Sequence, residues 1–526
     1  MSLNITKLLD FIGGMIMKKQ SLIKGTVILG AAGVFARFLG LFFRWPLIML
    51  IGDEGIGYYQ MSYPLYMFFI GIATGIPVAI SKMVSERNAF NDEGAMIEVV
   101  NKAILTMIIL GGGFSIVFLA FPEYLIHFFK WDKKAMYALM GIGAAPLFIS
   151  IMSVFRGFFQ GMQNMTPTAV SQIIEQVGRV IFGVGLAVLL LPKGIEYAAG
   201  GAAFGAAAGG IIGFIYLYIK YIFVKRRLVI KPHKRDPKML SELLNIAIPV
   251  SLGAAVGTIM SLLDSILVPQ MLLKAGYTFK QAAILYGQLT GKAMVLINVP
   301  LTLSIALCAS LVPIIAESYI LNRKLDVINK VESAVKVSMV ISLPSLCGLA
   351  FMAAPILNLL FPGHAEGYNI LRYSSICLPF IILTQTSTAI LQGTGHYFAP
   401  IKNLAVGCLG KIIITILLVP NPSINIYGAI IGSVAAYIIT TVLNMITLMR
   451  KLGVKINYYE TAIKPAYASI LMTIGVVFIY QYVYNNTMNN ALACLISISI
   501  GGALYVFMIV ILGVFNYSYL RSKLVK

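Results

Sequence analysis

Apolar runs of 20 or more residues follow one another almost without pause along this 526-residue chain. Each is long enough to cross about 30 Å of hydrocarbon as a helix. Only 11% of residues are charged and 59% are hydrophobic, where a soluble domain carries about 25% charged residues. A water-soluble enzyme is excluded, and the reading is an all-α polytopic membrane protein of about 14 transmembrane helices, the first window at 21–51 and the last at 489–515. Gly52-Asp53-Glu54-Gly55, Pro192-Lys193-Gly194, Pro362-Gly363 and Pro420-Asn421-Pro422 are read as breaks between runs.

The formal charge of +21 raises the question of where the cations sit. Most Lys and Arg fall in loops on one face if the amino terminus is cytoplasmic, the densest stretch running from Lys220 to Lys238. The positive-inside rule and contact with anionic lipid account for these, and nucleic-acid binding is not expected. The chain is placed in a membrane with both termini cytoplasmic. Residues 1–16 are given no function. The five cysteines lie in apolar runs without metal or disulfide spacing and are read as small hydrophobes.

Arg37, Arg44, Arg179, Lys292, Arg372 and Lys411 fall inside the spans, against the carboxylates Glu175 and Asp264. A charge in hydrocarbon costs about 2.5 to 3.5 kcal/mol even on an insertion scale, so each demands a partner or a role. Arg37 and Arg44 are seven residues apart, on one helix face and about 10 Å apart along the axis. Their forked guanidinium groups match phosphate oxygens; the alternative is outward snorkelling of Arg44 and a carboxylate partner for Arg37. Glu175 precedes Arg179 by one turn, the favourable order for a structural ion pair. Lys292 lies deep in the eighth span, either facing a cavity or neutralising Asp264. Arg372 and Lys411 are candidates to line a pathway.

The chain looks duplicated at an offset of about 232 residues: Gln160-Gly161 recurs as Gln392-Gly393, Gly178-Arg179 as Gly410-Lys411, and the GAxxG of Gly201 to Gly205 as Gly428 to Gly432. An even number of spans per repeat gives two parallel lobes. The plan is a tail at 1–20, an N-lobe at 21–224, a basic linker at 225–239, a C-lobe at 240–450 and two further helices at 451–526. Small residues at GxxxG spacing are read as helix-packing sites.

Lys24-Gly25-Thr26, Arg37-Phe38-Leu39-Gly40 to Arg44, Gly52-Asp53-Glu54-Gly55-Ile56-Gly57-Tyr58-Tyr59 and Gly75 to Lys82 resemble the stage V sporulation protein B and polysaccharide-export family of the multidrug/oligosaccharidyl-lipid/polysaccharide flippase superfamily. The resemblance implies a two-lobed flippase of fourteen helices that moves an undecaprenyl-pyrophosphate-linked saccharide, lipid II for peptidoglycan or spore cortex. It also implies that Arg37 and Arg44 match paired arginines of the first helix, spaced one residue closer in the Gram-negative flippases, and that Lys292 lies near the eighth-helix basic position.

The competing reading in the same fold is a cation-coupled multidrug antiporter, or an exporter of another lipid-linked polysaccharide unit. The excess of basic over acidic residues in the spans favours an anionic passenger over an organic cation. An enzyme is not expected: His127, His233, His364 and His396 lie in loops or at span ends, and neither a Walker A loop nor HExxH nor GxSxG occurs. No cofactor or metal is called for. The drive is expected from Na+, H+ or the membrane potential, which is worth about 2.3 kcal/mol per charge per 100 mV. The expected partners are the lipid-linked anionic saccharide and membrane lipids, with a functional monomer.

Overall fold

The computed structural model describes residues 20, 22–228 and 236–514; within helices, the side chains of 22–24, 26, 27, 37, 41, 252–257 and 305–314 lie outside the description. Among the described residues there are helices and turns and no strand. Helices satisfy every backbone polar group within the segment, as is needed where those groups find no water.

The first helix, α1 (Leu22–Ala73), contains non-helical Gly52 at φ 61, ψ −171, a conformation open to glycine and strained for other residues. Arg44 and Tyr63 flank this break 19 residues apart, and a continuous helix would separate them by about 28 Å. The Arg44 guanidinium carbon instead stands 5.9 Å from the Tyr63 ring centre. The chain therefore reverses at Gly52 and α1 is a helical hairpin. The expected break is thus a single residue, and Asp53, Glu54 and Gly55 already belong to the returning helix.

The first unit continues through α2 (Gly75–Ala89), α3 (Glu93–Ala120), α4 (Pro122–Phe129), α5 (Ala135–Ile142), α6 (Ala145–Gly161), α7 (Thr166–Leu190), α8 (Ile195–Lys225) and α9 (Met239–Lys274). Asp92 caps α3 by accepting from the Ala95 amide, and prolines open α4, α6 and α7, where a missing amide hydrogen costs nothing. Glycines let α7 and α8 approach until side chains no longer fit between them: a Cβ on Gly209 would lie 2.3 Å from the Glu175 carbonyl oxygen, and one on Gly205 2.6 Å from that of Arg179. These small residues serve packing, as their spacing indicated.

By internal contacts this unit extends to Gln270 and includes Phe279–Ile284. Hydrogen bonds hold α9 along its length. Arg87 meets Glu242 at 2.8 Å, the Gly75 amide donates to Ser251 Oγ, the Trp131 indole donates to the Ser265 carbonyl, and the Gln270 amide donates to that of Phe129.

The second unit takes Met271–Thr278 and the chain from Leu285. The helix α10 (Phe279–Gly287) enters it, passes through a π-helical turn at Gln288–Ala293, and continues as α11 (Met294–Ile320). There follow α12 (Lys324–Phe351), α13 (Ala353–Leu360), α14 (Tyr368–Ser374), α15 (Leu378–Gly393), α16 (Phe398–Leu418), α17 (Tyr427–Leu452), α18 (Lys464–Thr487) and α19 (Asn490–Ile511). One core, with Val331, Val335, Leu383, Ile390 and Leu448, joins α12, α15 and α17. A second, with Met472, Val476, Cys494 and Tyr505, docks α18 and α19. Tyr505 reinforces it by donating its hydroxyl to the Val340 carbonyl. Gly428 and Gly432 stand against α16 and the residue after it as Gly201 and Gly205 stand against α7.

Twelve described helices are long and apolar enough to span a membrane, the first as one 62-residue stretch. Division of that stretch at Gly52, together with α9, supplies fourteen segments. The chain is an all-α multi-pass membrane protein.

Candidate functional site

In the first unit a line of aromatic and cationic groups is built from three helical segments. Tyr59, Tyr63 and Tyr66 lie at i, i+4 and i+7 on the returning arm of α1 and so share a face. The Tyr59 and Tyr63 rings stack at 5.4 Å between centres, and Tyr63 meets Tyr66 at 5.8 Å. The half-buried Arg44 stands over the Tyr63 ring, a cation–π contact that gains strength as water is excluded.

At the other end Arg179 on α7 places Nη2 3.4 Å from the Tyr66 hydroxyl and 3.2 Å from Glu175 Oε1. The expected pair of Glu175 and Arg179 is therefore formed, one helical turn apart. A third member joins it: Arg156, near the end of α6, donates from Nη2 to Glu175 Oε2 at 3.0 Å and from Nε to Ser171 Oγ at 2.9 Å. One carboxylate thus receives two guanidinium groups, and the cluster keeps a formal positive charge. Glu175 and Arg179 are each 8% exposed, and Arg179 Nε has no hydrogen-bond partner. Sequence reasoning did not single out Arg156. The signal that would have found it is its position four residues before Gln160, inside the apolar run.

Arg37 lies on the outgoing arm of α1, and its side chain is outside the described residues. Asp264 is half-buried on α9, next to the Ser265 carbonyl that accepts from Trp131. A further carboxylate, Glu54, is 9% exposed just after the Gly52 break. It accepts from the Tyr58 hydroxyl at 3.0 Å and stands 3.1 Å from the Lys280 ammonium. It was read only as part of a turn.

The second unit arranges its cations differently. Lys292, in the π-helical turn, is 1% exposed. Its ammonium donates to the carbonyls of His364 at 2.7 Å and Glu366 at 3.3 Å, so it ties down the loop between α13 and α14. Arg372 is exposed and donates from Nε to the Ala350 carbonyl at 3.2 Å. Ala350 is among the last residues of α12, so Arg372 supplies a donor to a helix end that lacks one. Lys411 is buried on α16 at the repeat position of Arg179. Where the first unit has the charges of Glu175 and Arg156 and the Ser171 hydroxyl, α16 and the helices beside it carry amides and hydroxyls: Asn403 donates to Asn444, and Asn444 to Ser387 and Thr388.

The same unit holds an apolar groove of about 410 Å³, bounded by α11, α12, α18 and α19 through residues such as Leu296, Leu303, Pro344, Leu349, Met472 and Ile498. The final two helices, which seemed an appendage in sequence, form one wall of it. No cluster of residues suited to a metal ion occurs among the described residues.

Comparison with known proteins identifies the family. A family model described as polysaccharide biosynthesis protein matches residues 22–319. Stage V sporulation protein B of Bacillus subtilis (strain 168) is 31% identical over 460 residues, covering 86% of this chain and 88% of that one. The lipid II flippase MurJ of the same organism is 28% identical over 523 residues, covering 93% and 95%. Among solved structures, a lipid II flippase MurJ in an inward closed conformation superposes with a TM-score of 0.71 at 16% identity, over 92% of this chain and 98% of that one. With the helical hairpin at Gly52, the repeated glycine-packed helix pairs and the buried cations in place, the chain belongs to the polysaccharide biosynthesis protein family of membrane flippases and transporters.

Proposed function

We propose that this transporter carries an undecaprenyl-pyrophosphate-linked saccharide, lipid II or a close relative, across a bacterial cell membrane by alternating access. The observation that carries the reading is the charge surplus inside the first unit, where Arg156 and Arg179 divide one carboxylate and Arg44 rests on a tyrosine ring. Cations in hydrocarbon are tolerated where an anion visits them. Two phosphates on the passenger supply that anion, and Arg37, Arg44, Lys411 and Arg372 are the residues assigned to receive it along the path. Lys292, the fifth residue so assigned, is held on the His364 and Glu366 carbonyls. The apolar groove gives the polyprenyl tail a lining with few polar groups, as transfer out of the bilayer requires.

In this reading no cofactor takes part. An inside-negative potential drives the anionic head group outward with about 2.3 kcal/mol per charge per 100 mV, and Na+ or H+ coupling is the alternative source. Both termini face the cytoplasm, and one chain suffices.

The test is reconstitution in liposomes with fluorescent lipid II, scored by access of an impermeant reagent added outside. Transport by the parent protein, reduced at least tenfold in Arg44→Ala, is the expected result. Transport of ethidium with none of lipid II would overturn the reading in favour of the antiporter.

A further inference from the structure

The second unit contains a smaller pocket of about 180 Å³, away from the apolar groove and lined by different residues, among them Gln288, Tyr368, Asn369, Asn425 and Tyr427. We infer that this pocket is a saccharide-recognition site, which takes a neutral sugar ring of the passenger by its hydroxyl and amide groups. The inference rests on the lipid-linked saccharide reading and adds to it a contact for the head group distinct from the phosphate contacts.

Three features point to a sugar. First, no charged side chain lines the pocket. The nearby Lys292 ammonium is turned into the loop on the carbonyls of His364 and Glu366, so the pocket is poorly suited to a phosphate. Second, its walls combine tyrosine rings with side-chain amides. An aromatic face covers the apolar side of a pyranose, and an amide can donate and accept in the same place, as a ring bearing vicinal hydroxyls requires. Third, the polar groups are available. The Asn369 amide and the hydroxyls of Tyr368 and Tyr427 make no hydrogen bond to the described protein, whereas Asn425 is occupied in shaping the turn, accepting from the Ile426 amide at 2.6 Å and donating to the Pro422 carbonyl.

The local backbone holds these groups in place. Gly367 has φ 86 and lies so close to Gln288 that a Cβ would stand 3.0 Å from that side chain. Glycine alone brings the start of α14 down onto the π-helical turn and leaves Tyr368 and Asn369 at the rim. Tyr427 is fixed by an edge contact with Tyr373 at 5.4 Å. The pocket is therefore assembled from the ends of α10, α14 and α17, which hold it without a ligand.

The test uses the full chain in nanodiscs and the soluble, uncharged disaccharide di-N-acetylchitobiose, observed by saturation-transfer NMR. Binding is expected in the parent, weakened about tenfold in Asn369→Ala and more in the Tyr368→Phe/Asn369→Ala double variant, as expected for the loss of one and two hydrogen bonds. It should not be displaced by inorganic pyrophosphate. Unchanged binding in both variants, displacement by pyrophosphate, or no binding by a preparation that transports lipid II would overturn the pocket assignment while leaving the carrier reading intact. Disaccharide binding that the two variants weaken, in a protein unable to transport lipid II, would retain the pocket and remove the carrier reading.

Discussion

Arg156 and Arg179, which come from successive helices, meet opposite oxygens of the same Glu175 carboxylate, at 3.0 Å and 3.2 Å. Glu175 therefore links α6 to α7 and also holds Arg179 under the Tyr66 hydroxyl. Its removal leaves two cations facing each other with little water.

Glu175→Gln is expected to destabilise the protein by about 3 to 5 kcal/mol, the usual result of stripping one member from a buried charge cluster. Replacing Arg156 by Met in the same chain should restore part of that loss, because only one cation then remains. Thermal unfolding in detergent, measured for the two single variants and the double, reads the sign of this coupling.

The contact of α7 with α8 depends on absent side chains. Gly209→Val should lower the yield of folded protein and its unfolding temperature, since its Cβ alone would come within 2.3 Å of the Glu175 carbonyl oxygen. Overpacking costs about 1 to 3 kcal/mol or more. Gly185→Val on α7 is the control, because a Cβ there meets nothing within 4 Å.

Tyr63 supports Arg44 through its ring, not its hydroxyl. Tyr63→Phe should transport at close to the parental rate, while Tyr63→Leu should lose about fivefold to thirtyfold, in keeping with a partly desolvated cation–π contact of about 1 to 2 kcal/mol. Initial rates in the liposome assay separate the two.

The apolar groove can be filled without disturbing the fold at Gly348, where a Cβ meets nothing within 4 Å. Gly348→Trp should leave the unfolding temperature within a few degrees of the parent. Transport of a cargo with a full-length polyprenyl chain should fall, while a short-chain analogue should be spared. Equal rates for the two lipids in the variant would remove the groove from the path.

Much of this molecule is legible in its sequence because a bilayer enforces simple rules. Span lengths, the break at Gly52, the glycine pairs of α8 and α17 and the bond from Glu175 to Arg179 all follow from local spacing. What escaped has a physical reason too. Arg156 stands at the end of an apolar run, where a loop cation and a buried one have the same neighbours in sequence. Its partner Glu175 lies 19 residues on, a distance no helical period connects. The orientation of Lys292 depends on carbonyls 72 and 74 residues away, supplied by a loop whose closure is set by Gly367. The wall contributed by α18 and α19 arises from tertiary packing that sets Met472 and Ile498 beside Leu296 and Pro344, residues far apart in the chain.

The central claim is that the passenger is recognised by its negative charge. Native mass spectrometry of the purified chain with equimolar undecaprenyl-pyrophosphate saccharide and an uncharged polyprenyl saccharide of the same chain length measures this directly. The account predicts at least a tenfold preference for the pyrophosphate lipid, reduced to less than about threefold in Arg44→Ala, as expected for the loss of a charge-assisted contact. Equal occupancy by the two lipids in the parent protein would contradict it.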